Sequence, residues 1–196
     1  MNFNLEEMEK VLYREAKQTF LQIRDDLSDE YIYSLALYTT DNLGYLLPTC
    51  STLEGLERVA KEYKARAHYK DRSLAQLKDL LKWSYADSPY HSIYEDTMNE
   101  TFEMMFEFDD ALSTAYDDEE GGSEEGGDQL LQAAFSTCVK VLRQLDEEGV
   151  FGKGEYRKRT VLNIAMGDQS DESRIQFARL LNPPSVAERF AAELVL

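Results

Sequence analysis

Apolar residues recur along this chain in two rhythms. Leu5, Met8, Leu12, Ala16, Phe20, Ile23 and Leu27 lie three or four positions apart, the spacing of one helical face. Asn4, with Glu7 three residues later, supplies a capping-box-like start to that helix. The rhythm then changes at YIYSLALYTT (Tyr31 to Thr40), which is aromatic, β-branched and short, and so predicts a strand. Turn residues at Asp41 to Gly44 let YLLPT (Tyr45 to Thr49) return as a hairpin partner, with Pro48 marking its edge or end. Ser51 and Glu54 form a second capping box, followed by Leu53, Leu56, Ala60, Tyr63 and Ala67 on one helical face. A shorter helix is predicted from Leu74 to Trp83, ending before the SPY punctuation at Ser88 to Tyr90.

The second half repeats the helical rhythm with one strand inserted. Ile93 to Tyr116 reads as a long helix whose apolar face carries Tyr94, Met98, Phe102, Met105 and Leu112. Leu131, Ala134, Phe135, Cys138, Val141, Leu142 and Leu145 predict another, closed by Gly149 as a C-terminal cap. FGKGEYRK (Phe151 to Lys158) lacks P-loop spacing and follows a helix, so it reads as a connection into the strand candidate RTVLNIAMGD (Arg159 to Asp168). A helix from about Ser173 is broken by Asn182–Pro183–Pro184, and a short final helix follows. The order α-β-β-α-α-α-α-β-α-α has no regular βαβ alternation. It predicts an α+β fold with a small, mainly antiparallel sheet on helices, in one domain over residues 1–196 with a flexible acidic loop at 117–128.

Charge sharpens this picture. The chain carries a net charge of -17, yet no Lys or Arg lies between Lys82 and Lys140. Fourteen acids fall between Glu95 and Asp128; the rest of the chain holds 24 acids and 21 bases, a balance of -3. An acidic pI argues against direct nucleic-acid binding, which needs clustered Lys and Arg. No apolar run reaches the roughly 18 residues of a membrane span, and the start MNFNLEEMEK has no secretory pattern. Cys50 and Cys138 lack any CxxC partner, so two buried thiols in a reducing cytoplasm are expected.

Candidate chemistry is sparse. His68 and His91 are the two histidines, and neither stands in a recognisable arrangement with Ser or Cys. Twelve residues counted from Asp117 place acids at positions 1, 3, 9 and 12 and glycine at 6, a loose calcium-loop layout. Gly121 at position 5, Glu124 at position 8 and Asp128 at position 12 depart from it, so no metal and no cofactor are expected. The helix before the loop is more informative. Asp96, Glu100, Glu103, Glu107 and Asp110 are spaced 4, 3, 4 and 3, a straight acidic stripe continued by Asp117, Asp118, Glu119 and Glu120. Two readings stand: a solvated face that keeps the protein soluble, or a surface kept negative for a basic partner. Tyr94, Tyr116 and Phe108 are candidate rim anchors for such a partner. Asp109 falls on the apolar side, which implies either a bend or a specific use of that carboxylate.

Five stretches together resemble a bacterial family known as domain of unknown function 4303. They are IYSLALYTT, LKWSYADSPY (Leu81 to Tyr90), LDEEGVFGKG (Leu145 to Gly154), LNIAMGD (Leu162 to Asp168) and LLNPPS (Leu180 to Ser185), in an order that covers almost the whole chain. The resemblance brings no catalytic residues. Similar small acidic bacterial proteins accompany polymorphic toxins as immunity proteins, so the resemblance implies an immunity-type inhibitor of a basic toxin or nuclease domain. The alternative is an enzyme or divalent-metal-binding protein with an unrecognised site.

Overall fold

A computed structural model describes residues 3–117 and 122–194. Helix α1 (Leu5–Asp26) starts where the pattern places it, with the Asn4 side chain accepting the Glu7 amide. Strand β1 (Ile32–Thr39) pairs antiparallel with β2 (Leu47–Thr52), so the hairpin forms as expected. Helix α2 (Leu53–Ala65) is capped by Thr52 rather than by Ser51: the Thr52 hydroxyl accepts the Gly55 amide, while Ser51 stays in β2. Helix α3 (Leu74–Leu81) opens on a full capping box between Ser73 and Gln76. A short strand β3 (Tyr90–His91), unmarked in the sequence, adds to the free side of β2.

Helix α4 (Asn99–Tyr116) is preceded by a 3-10 turn at Glu95–Met98, so the long helix predicted from Ile93 is two pieces. Helix α5 (Glu124–Glu148) begins six residues before Leu130, its first large side chain packed on the core, with Ser123 accepting the Gly126 amide as its cap. The predicted loop at 117–128 is therefore shorter, because residues 124–128 are helical. Two adjacent glycines hide that start in the sequence, whereas Glu124 and Glu125 favour the positive end of the helix. A short helix α6 (Gly154–Arg159) occupies the expected connection before β4 (Val161–Met166). Helices α7 (Asp171–Leu181) and α8 (Pro184–Leu194) complete the chain.

The sheet runs β3-β2-β1-β4, antiparallel except for the β1–β4 pair, which is parallel. This is an α+β fold with helices on both faces of a mixed sheet. Leu35, Leu37, Leu162 and Ile164 face the larger core with residues of α1, α4 and α5; Tyr33 and Val161 face a second core with α2, α3 and α8. Burial on both faces explains why β1 reads as a nearly unbroken apolar run instead of an alternating one. Among the described residues, no helix is long and apolar enough to cross a membrane.

Candidate binding surface

The acidic stripe from Glu100 to Asp110 belongs to α4, with Asp96 in the 3-10 turn before it, and α1 sets the start of that helix. Glu15 of α1 is buried, and its carboxylate accepts the backbone amides of Glu100 (3.1 Å) and Thr101 (2.8 Å). Beside it the Thr19 and Thr97 hydroxyls meet at 2.6 Å. With its first turn held this way, α4 turns Thr101, Met105, Phe108 and Leu112 into the protein, in line with Met98 of the 3-10 turn.

The buried face keeps Met98, Met105 and Leu112 of the predicted one and departs from it at Phe102. Phe102 is 45% exposed, whereas Phe108 is fully buried with its ring 5.0 Å from Phe3. At 100° per residue Phe102 lies about 60° from Met105 and about 80° from Leu112, on the margin of the face, whereas Phe108 lies within about 40° of Leu112. Phe108 is thus no rim anchor. Tyr94 is positioned by a hydrogen bond from its hydroxyl to Asp26, and Tyr116 by one to Asp128; these bonds to carboxylates raise the pKa of each phenol.

Phe102 now lies beside Phe106, a residue that periodicity did not single out. Phe106 is 58% exposed, and the two rings meet edge to face at 4.8 Å. At 100° per residue, Asp109, Phe102, Phe106, Asp110 and Glu103 span about 120° of the helix surface. The i,i+4 spacing of the two phenylalanines was legible, but which of them faced solvent was not. Asp109 is on this exposed side, not on the apolar one, with Asn42 Nδ2 at 3.4 Å.

The other stripe residues separate by their partners. Glu100 is paired with Arg14 at 2.5 Å. Asp96, Glu103, Glu107 and Asp110 are exposed, and among the described residues none of them forms an ion pair. Asp117 caps the C-terminal end of α4. Asp118, Glu119 and Glu120 lie outside the described residues. The surface therefore presents aromatic ring faces among carboxylates, a combination that attracts guanidinium and ammonium groups through charge and cation–π contact.

Other candidate chemistry stays apart from this surface. His68 is exposed, and His91 sits half-buried with Nδ1 3.2 Å from Thr49 Oγ1, where burial lowers its pKa. Burial pushes both thiols up, Cys138 to about 12, so neither is a poised nucleophile. Among the described residues no group of three His, Cys, Asp or Glu side chains could hold a metal ion.

The family model described as Domain of unknown function (DUF4303) matches residues 12–183. The chain belongs to this family. Among the described residues of this DUF4303 protein, the matched span takes in strands β1 to β4 and the whole of α4, so the acidic-aromatic surface lies within the family region. Neither a curated protein nor a solved structure matches the chain.

Proposed function

We propose that the protein is a non-enzymatic binding protein that engages a basic partner through the exposed face of α4. Its most concrete form is an immunity-type inhibitor covering the active site of a basic toxin such as a nuclease domain. The observation that carries this reading is the Phe102–Phe106 pair, exposed at 45% and 58% and flanked on one side by the carboxylates of Asp110, Glu103 and, farther round the helix, Glu107, none of them ion-paired among the described residues. A solvated face kept acidic for solubility has no use for two exposed aromatic rings. A contact surface uses both: the rings bury apolar area at the centre, and the carboxylates steer an oppositely charged partner and select it against acidic ones.

Affinity capture on the immobilised protein, with binding kinetics followed across a salt series, tests the proposal. The expected result is a basic protein whose association rate falls steeply with salt. The triple variant Glu103→Gln/Glu107→Gln/Asp110→Asn should slow association, and Phe106→Ala should weaken the complex by about 2 kcal/mol, roughly 30-fold in Kd. A partner held equally well by both variants, with a salt-independent rate, would place the interface elsewhere and remove the basis for this function.

A further inference from the structure

On the opposite side of the sheet from α4, a cleft of about 630 Å³ opens at the carboxyl ends of the parallel strands β1 and β4. Tyr38 and Met166 mark the strand ends, α3 forms one wall, and α7 with the end of α8 forms the other. At this end β4 leads into α7 while β1 turns back into β2, and the concavity opens where the two chains part.

The polar groups lining the cleft divide into committed and uncommitted sets. Arg174 donates to the Trp83 carbonyl and lies 3.5 Å from Asp171; Gln169 uses both amide atoms on β4; Glu193 is paired with Lys82 at 2.7 Å. Four groups have no side-chain partner for the relevant atoms among the described residues: the Arg72 guanidinium, the Gln76 amide nitrogen, the Asp79 carboxylate and the Tyr38 hydroxyl. One cation, one anion and two hydrogen-bonding groups thus face a single concavity whose floor includes Trp83 and Leu80.

We infer that this cleft is a binding site for a short zwitterionic peptide, with Asp79 taking the free amino terminus and Arg72 the free carboxylate. Leu74 to Asp79 rises about 8 Å along α3 at helical rise, and Arg72 lies in the bend before the Ser73 cap, so the two charges belong to opposite ends of this wall. A single amino acid carries both charges on one carbon, whereas extended residues separate them by about 3.3–3.6 Å each, so charges at opposite ends of the wall favour a short peptide. Gln76, one turn from Asp79 on α3, faces the peptide backbone between the two ends, and the apolar floor accepts a central aliphatic side chain. Arg72 suits a carboxylate because its planar fork can donate two parallel hydrogen bonds. The site shares no residue with the α4 surface and stands or falls without it.

The chain's single tryptophan, Trp83, lines the cleft and provides the readout. The unblocked peptide Ala-Leu-Ala is titrated into the full chain with Trp83 fluorescence and calorimetry followed together. Saturable binding is expected, weakened by about tenfold or more when the peptide is N-acetylated or C-amidated. Arg72→Gln should lose the preference for the free carboxylate alone, and Asp79→Asn the preference for the free amine alone. Both residues are exposed, so the variants should keep the wild-type melting temperature. Phe106→Ala should bind the peptide as the wild type does. Saturable binding that is indifferent to blocking of both termini, or no heat and no fluorescence change at millimolar peptide, overturns the inference.

Discussion

Glu15 shows how one side chain can decide what an entire helix presents. A carboxylate loses its hydration on burial and is tolerated only when hydrogen bonds replace it. Here the Glu100 and Thr101 amides of α4 do so, at 3.1 and 2.8 Å, on the positive end of that helix. Met98 just before them has no side-chain cap bond, so the capping function comes from a residue 85 positions away in sequence. Glu15→Ala is expected to lower the unfolding free energy by about 1–3 kcal/mol, with Glu15→Gln losing less because one acceptor remains. Urea denaturation monitored by circular dichroism measures both; an unchanged midpoint for the alanine variant would mean that water replaces the cap at no cost. The sequence places Glu15 beside the apolar positions Leu12 and Ala16, yet nothing in it names the partner, because the contact exists only once α1 and α4 cross.

At the scale of elements, the sheet depends on what covers its long edge. Strand β4 is the outermost strand on its side, and bare strand edges recruit other chains. Side-chain amides occupy this edge instead. Asn182 accepts the Leu162 N–H at 2.9 Å and donates to the Leu162 carbonyl at 2.7 Å, while Gln169 pairs with the Ile164 carbonyl and the Met166 N–H. Asn163 accepts the Ile164 N–H between them at 2.9 Å. The Asn182–Pro183–Pro184 stretch reads in the sequence as a helix breaker, and it is one; its asparagine is also a surrogate strand. Asn182→Ala should cost about 1–3 kcal/mol of stability by leaving two backbone groups of Leu162 unpaired. It should also produce concentration-dependent association, measured by light scattering, whereas a monodisperse variant would show that α7 alone protects the edge. The opposite edge needs less protection because β3 has only two residues.

For the whole molecule, the balance of -17 is concentrated where the protein is least able to neutralise it. Of the stripe, Glu100 has a basic partner, Arg14, and the three acids after it have none among the described residues. Like charges at i,i+4 destabilise a helix by about 0.2–0.5 kcal/mol per pair, and salt relieves them. Glu103→Gln/Glu107→Gln should therefore melt at a higher temperature than the wild type in low salt, with the difference shrinking as sodium chloride is added. A lower melting temperature for the variant would mean that these carboxylates are stabilised by the fold, and the view of a surface held in a strained, partner-ready state would fail. Under the proposed function, the same variant gains stability and loses association rate.

Local pattern was enough to determine much of this protein. Periodicity located α1, the β1–β2 hairpin, α5 from its apolar positions onward and β4, because each buries a face whose spacing is written in consecutive residues. The charge asymmetry and the family followed from the same letters. Tertiary structure alone decided three things. It made β4 parallel to β1, a pairing between strands more than 120 residues apart. It turned Phe108 inward against Phe3 and left Phe102 exposed, because contacts from a distant glutamate and the start of the chain fix which side of α4 meets the core. It also brought α3, α7 and the ends of β1 and β4 around one cleft. Side-chain spacing along a chain is a one-dimensional record. The phase of a helix and the walls of a cleft depend on contacts between segments, and those contacts arise only when the layers pack.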